Sequence, residues 1–212
     1  MKKHLMVPAM GLVAAVMTLG SCTKDPVNNL NNEESRIYIT NHDSTASFSS
    51  FKTFSISDSV AIISNSHLQQ RTRDAFDTQL ITAIANAMKQ RGYTQVTKDQ
   101  NPDLGINVNN IINTQTGYID YGNYYDDYYG YWDPYYWGYP GYGYYGSYVG
   151  VYQVNEGVIS IDMFDLKDAT GNGKIKSVWN GVVRGEGIFQ DASINTSVQA
   201  LFDQSVYLKA NQ

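Results

Sequence analysis

The chain has 212 residues, with 15 Lys and Arg against 20 Asp and Glu, a formal net charge of −5 and a single cysteine. An acidic balance excludes docking on a phosphate backbone or an anionic lipid surface by charge. One cysteine excludes a disulfide within the chain, and with it a small disulfide-stapled scaffold.

The first 21 residues read as a signal peptide rather than as structure. Lys2 and Lys3 give a positive start, and Leu5 to Leu19 is apolar apart from Pro8 and Thr18. That run suits a signal-peptide core and falls short of the ~20 residues of a helical membrane span. Leu19-Gly20-Ser21-Cys22 then sets small residues before the only cysteine. Small residues let the chain lie extended in a peptidase cleft, and the thiol is the nucleophile for a diacylglyceryl group. The run resembles the bacterial lipobox, which implies a lipoprotein cut before Cys22 and lipidated on it, with palmitate-type acyl chains. Two or more chains hold a membrane firmly, whereas one binds marginally, at about 0.8 kcal/mol per buried CH₂. Thr23 follows, not the Asp that enterobacterial sorting reads as inner-membrane retention. The expected address is therefore the outer membrane, facing the periplasm or the cell surface.

Cleavage would leave 191 residues with 13 basic and 20 acidic side chains, about −7, which suits one domain on a tether. Residues 22–46 are expected to be the lipidated cysteine and that flexible tether. Asn28, Asn29, Asn31, Asn32, Glu33 and Glu34 bury too little apolar surface to offset ordering entropy. The domain is then 47–209.

Phe48, Phe51, Phe54 and Ile56 predict a first strand over Ser47 to Ser57. Ser66-His67-Leu68-Gln69 has capping-box spacing and predicts a helix start at Ser66. Leu68, Thr72, Phe76, Leu80, Ala83, Ile84, Ala87 and Met88 continue it as one apolar stripe. Lys89 and Arg91 suit the negative helix end, and Gly92 stops it. Tyr93 to Thr97 reads as a short strand, and Asn101-Pro102-Asp103 as a turn. Leu104, Ile106, Val108 and Ile112 alternate with Gly105, Asn107 and Asn109, a half-buried strand. Val158 to Leu166 alternates likewise, with Ile159, Ile161 and Met163 against Ser160, Asp162 and Phe164. Asn172-Gly173 marks a hairpin turn before a partner strand over Ile175 to Arg184. Ile194, Val198, Leu201, Phe202, Ser205 and Leu208 predict a second amphipathic helix, starting near Asp191 or Ser193. Two helices with one-sided stripes can cover one face of a mostly antiparallel sheet, a two-layer α+β domain.

Residues 117–152 hold 15 of the 18 tyrosines, two of the three tryptophans and eight glycines, and Lys and Arg are absent between Asp99 and Asp165. A 36-residue segment of this composition reads as an insertion, outside the core. Tyr124, Tyr125, Tyr128, Tyr129, Tyr131, Trp132, Tyr135, Tyr136 and Trp137 are the candidate binding residues, since such rings offer flat apolar faces with polar edges. Three uses stay open: a glycan- or peptidoglycan-facing surface, docking on an envelope protein or on a second copy, and a loose insertion without a partner. Nucleic acid is excluded, because base stacking needs a cationic groove and this stretch carries only Asp120, Asp126, Asp127 and Asp133.

Chemistry finds little support. The histidines after the signal peptide are His42, in the tether, and His67, in a first helical turn. No G-x-S-x-G or phosphate loop occurs, and no cofactor motif. The run from Asp168 starts like a calcium loop, but position twelve is Trp179, so no metal site is assigned. No catalytic residue is assigned either. Asp162 and Asp165 fall on opposite strand faces. Asp126 and Asp127 sit in a loop, a poor holder for an acid–base pair. A carbohydrate-directed hydrolase using loop carboxylates is the alternative to a non-enzymatic binding or assembly module.

Several short runs together resemble the bacterial envelope lipoproteins that carry a C-terminal domain of unknown function, common in Bacteroidetes and Proteobacteria. They are Phe51-Lys52-Thr53-Phe54, Arg91-Gly92-Tyr93, Asn101-Pro102-Asp103-Leu104, the run from Glu156 to Asp162, and Val178-Trp179-Asn180-Gly181. The resemblance spans Phe48 to Leu208. It implies a Tyr/Trp/Gly-rich insert where this chain has one, and it brings no catalytic residue. Asn180 stands where a Trp-Arg-Gly run is implied. Trp179 reads as a core or sheet-face residue, and Gly157 and Gly181 as positions of close approach.

Overall fold

The structure, a computed structural model, describes residues 31–64, 67–112, 118–120, 136–145, 151–153, 157–169 and 173–210. Eleven strands are described: β1 (Ile37–His42), β2 (Thr53–Ile56), β3 (Val60–Ser64), β4 (His67–Thr72), β5 (Thr94–Gln95), β6 (Leu104–Ile112), β7 (Tyr118–Asp120), β8 (Gly143–Tyr145), β9 (Val151–Gln153), β10 (Val158–Asp165) and β11 (Lys174–Arg184). The two helices are α1 (Ala75–Gln90) and α2 (Asp191–Gln204). Nine strands form one sheet in the order β1-β11-β10-β6-β2-β5. There β3 also pairs with β6, β4 with β3, and β8 with β11, while β7 and β9 pair separately. No helix among the described residues is long and apolar enough to cross a membrane.

The fold is α+β, and the sheet is mixed. Its centre is antiparallel (β6-β10-β11-β1), but β2 and β3 run parallel to β6, and β8 runs parallel to β11. A parallel pair needs a crossover, and α1 supplies it between β3 and β6.

Four expectations change. Residues 37–42, assigned to the tether, are an edge strand: Ile-Tyr-Ile-Thr is β-branched and aromatic, and it pairs with β11 from Ile37↔Arg184 to His42↔Trp179. The first strand begins only at Thr53, after a 3-10 turn over Phe48–Ser50 that buries Phe48. Tyr93–Thr97 contributes only the two-residue β5. The helix starts after Asp74, not at Ser66, which lies outside the described residues. Asp74 and Asp77 form the capping box: the Asp77 N–H donates to Asp74 Oδ1 (2.8 Å) and the Asp74 N–H to Asp77 Oδ2 (3.2 Å). The run Val60-Ala61-Ile62-Ile63 prefers a strand, and it takes His67–Thr72 as its antiparallel partner.

The remaining stripes hold, except that α2 ends at Gln204: Ser205 and Leu208, expected within the second helix, lie beyond it, where both are still buried. Leu80, Ile84 and Met88 of α1 and Ile194, Val198, Leu201 and Phe202 of α2 are buried against Leu104, Ile106, Val108, Ile159, Ile161, Met163 and Val183. Gly92 ends α1 at φ +91°, and Arg91 reaches across to the end of α2, donating to the carbonyls of Ser205 (2.7 Å) and Phe202. Trp179 is fully buried and donates Nε1–H to Ser205 Oγ (2.8 Å). Its ring covers Gly181, where a Cβ would lie 2.3 Å from it, and the Phe189 ring covers Gly157 in the same way (2.1 Å).

Candidate functional site

The sheet face turned away from the helices carries the outward half of each alternation. Register sets Asn107 opposite Asp162, Asn109 opposite Ser160 and Asp162 opposite Asn180. Three neighbouring strands thus bring five polar side chains together in two adjacent rows, Asn107-Asp162-Asn180 and Asn109-Ser160, and all are at most 2% exposed. Asp162 is the centre of this cluster. It accepts from Asn109 Nδ2 (2.7 Å) and Ser160 Oγ (3.2 Å) on Oδ2 and from Asn180 Nδ2 (2.6 Å) on Oδ1. Asn180 Nδ2 also donates to Ser160 Oγ (3.1 Å). A buried carboxylate is tolerable only with such donors. The expectation of half-buried strands is therefore too low: β6 is buried from Leu104 to Ile111 on both faces.

Part of the cover comes from residues 136–145. Trp137 is 5% exposed and donates Nε1–H to Asn107 Oδ1 (3.1 Å). It packs with Phe164, Leu166, Ala169 and Ile175 in a second apolar cluster that Tyr136, Tyr139 and Tyr142 flank. The Tyr139 hydroxyl donates to the Leu166 carbonyl (3.2 Å), and Tyr136 Oη accepts from the Asp58 N–H (3.2 Å). Lys98 Nζ lies 4.4 Å from the Tyr136 ring centre, a cation–π contact. Burial raises the pKa of both tyrosine hydroxyls. Gly105 leaves room for this layer, since a Cβ there would lie 2.9 Å from Leu166 and 3.4 Å from the Trp137 ring.

The candidate residues separate accordingly. Cys22, Tyr124, Tyr125, Tyr128, Tyr129, Tyr131, Trp132 and Tyr135 lie outside the described residues. Trp137, expected on an open aromatic surface, is core, while Tyr136 keeps a partly exposed ring. Residues 136–145 are thus no independent insertion. The cluster of Asn107, Asn109, Ser160, Asp162 and Asn180 escaped sequence reading. Its signal was a polar residue in the outward register of three successive strands.

A polar cleft of about 330 Å³ opens elsewhere, lined by Thr45, Ser47, Asp165, Asp168, Lys174 and Lys176 among others. Burial, with the nearby Asp168 charge, raises the Asp165 pKa, and its Oδ1 accepts from the Asp168 N–H (3.1 Å), so it closes a turn. Asp43 is held low: burial opposes its charge, but Lys176 and the Thr45 donors outweigh it. His42 stacks on Tyr207 with centroids 3.9 Å apart. Among the described residues no group of three or more His, Cys, Asp or Glu could hold a metal ion.

A family model described as a domain of unknown function (DUF4136) matches residues 39–205. The chain belongs to the DUF4136 family. A solved DUF4136 family protein from Bacteroides thetaiotaomicron is 29% identical, with a TM-score of 0.70, covering 85% of this chain and 99% of that one. A point variant of PelC from Paraburkholderia phytofirmans, solved as a dodecamer, is 11% identical (TM-score 0.41, 84% of this chain, 99% of that one). A PDZ domain protein from Parabacteroides distasonis is 16% identical (TM-score 0.44, 84% of this chain, 38% of that one). None of the curated proteins is similar to the chain. The matched DUF4136 region begins inside β1 and ends at Ser205, just past α2, so it takes in both the polar cluster and the aromatic cover.

Proposed function

We propose that this DUF4136 protein is a non-catalytic binding module of the cell envelope, held on the outer membrane by lipid on Cys22, that contacts an envelope protein or glycan through its aromatic layer. One observation carries the binding half: the described part of the Tyr-rich segment is fastened to the sheet and its connecting loops by three side-chain hydrogen bonds while Tyr136, Tyr139 and Tyr142 remain partly exposed. Fixed rings with exposed edges lose little entropy on contact, which favours binding. The anchor half is supported by the lipobox-like run ending at Cys22. The test is cosedimentation of the mature protein with isolated sacculi, and crosslinking to detergent-solubilised outer-membrane proteins, for the parent and for Tyr136→Ala with Tyr142→Ala. Loss in the double variant, with its thermal unfolding unchanged, supports the reading. Equal recovery of parent and variant in both assays refutes a role for these rings.

A further inference from the structure

Five large apolar side chains are notably exposed among the described residues: Ile37, Leu68, Ile112, Phe189 and Val206. Strand register for three of them, and the contact of Phe189 with Gly157, place four of them at one end of the domain. Leu68 pairs with Ile63, Ile63 with Ile111, Ile111 with Val158, Val158 with Arg184 and Arg184 with Ile37, a single row across the sheet. Ile112 follows Ile111 directly. Phe189 lies on Gly157, the residue before Val158, and meets the Phe76 ring edge-on at 6.3 Å. Both helices begin at this end, where Gln79 Nε2 donates to Asp191 Oδ2 (3.3 Å).

The N-terminal segment enters the domain at the same end. Arg36 Nε and Nη2 donate to the carbonyls of Glu186 (3.4 Å) and Gly187 (3.5 Å). Gly185 lies so close to residues 35 and 36 that a Cβ would stand 2.8 Å from the Ser35 carbonyl oxygen. From Cys22 to Asn32 there are ten residue steps. They reach at most ~36 Å when extended and about 17 Å as a flexible coil. If Cys22 carries lipid, this end can never leave the neighbourhood of the bilayer, and its local concentration there is high.

We infer that this end of the domain, presenting Phe189, Ile112, Ile37 and Leu68, docks on the lipid surface to which the chain is anchored. The inference rests on the lipid reading of Cys22. The rim bears both signs, with Arg36 and Arg184 beside Glu186 and Asp191, which suits a zwitterionic surface and does not select an anionic one. Docking there orients the module: β1, β11, β10 and β6 stand with their Ile37, Arg184, Val158 and Ile112 ends toward the membrane. Val206, past the far end of α2, lies on the order of 20 Å away, by the helix rise.

Lipid on Cys22 leaves no free thiol, so a new cysteine is a unique labelling site. Phe189→Cys, Ile112→Cys and Val206→Cys are each made in the full chain, purified as mature lipoprotein, nitroxide-labelled and reconstituted in vesicles of mostly phosphatidylethanolamine with some phosphatidylglycerol. Docking predicts a several-fold higher ratio of oxygen to nickel-complex collisions at 189 and 112 than at 206. Water-type ratios at all three sites, with mass spectrometry showing lipid on Cys22, overturn docking and leave the anchor standing. A free Cys22 thiol overturns the anchor, and docking with it. Labels at 189 and 112 that are shielded from both reagents in proportion to protein density mean that a second copy covers this end, which also overturns the inference.

Discussion

Replacing Trp137 by alanine tests whether the aromatic layer belongs to the core. The indole is 95% buried among Phe164, Leu166, Ala169 and Ile175, and truncating a buried aromatic costs about 3–5 kcal/mol. Trp137→Phe keeps most of the ring but loses the bond to Asn107 Oδ1, at about 1 kcal/mol for a net hydrogen bond. In a domain of this size 1 kcal/mol moves Tm by about 2–4 °C. The alanine variant should therefore melt roughly 6–20 °C below the parent, and the phenylalanine variant a few degrees below it, by far-UV circular dichroism with urea titration as a second measure. An alanine variant within about 0.5 kcal/mol of the parent, the range of ordinary surface substitutions, would refute the reasoning and return residues 136–145 to the status of a loose insertion. A phenylalanine variant as damaged as the alanine one would show that the polar bond, not ring burial, holds the layer.

Cys22→Ala should abolish labelling by a fatty-acid probe and leave an uncut precursor on a gel; a labelled variant would end the lipoprotein reading. Gly181→Ala should cost about 1–3 kcal/mol, because its Cβ would meet the buried Trp179 ring at 2.3 Å and Leu201 at 3.0 Å. Gly157→Ala should cost less despite a 2.1 Å approach, because Phe189 is 41% exposed and can turn away; chemical denaturation of both variants measures the contrast, and equal losses would contradict it. The raised Asp165 pKa means that the native state keeps a proton the unfolded chain has lost, so stability falls as pH rises from about 4 through the folded value. Asp165→Asn should flatten that fall in urea titrations across pH, and an unchanged profile would be inconsistent with a strained carboxylate. Asp43 has the opposite sign: its stabilisation is present above the unfolded value and is lost as pH falls through the lower folded one. Lys176→Met should shrink that acid-side loss in the same titration, leaving only what the Thr45 donors hold, and a loss of unchanged size in the variant would exclude the ion pair as a cause.

Sequence alone determined the elements whose periodicity is local. The alternations that start at Leu104 and at Val158, the stripes Leu80-Ile84-Met88 and Ile194-Val198-Leu201, and the stop at Gly92 each reflect forces within a few residues and stand where expected, although Ile112 ends its strand exposed and the second strand stops at Asp165, one residue short of Leu166. Competition between neighbours decided the rest. Ser66 and Asp74 both head capping-box patterns, and only pairing of Val60–Ser64 with His67–Thr72 selects Asp74. Ile37–His42 looks like the end of a polar tether until the open edge of β11 gives it a partner. The polar cluster was half legible: period two set Asn107, Asn109, Ser160 and Asp162 outward, but no local rule could set Asp162 between Asn107 and Asn180, because register depends on how three strands align across the sheet. Whether that outward face met water or protein was likewise settled at a distance, by an indole thirty residues beyond Asn107 that finds its one polar partner there.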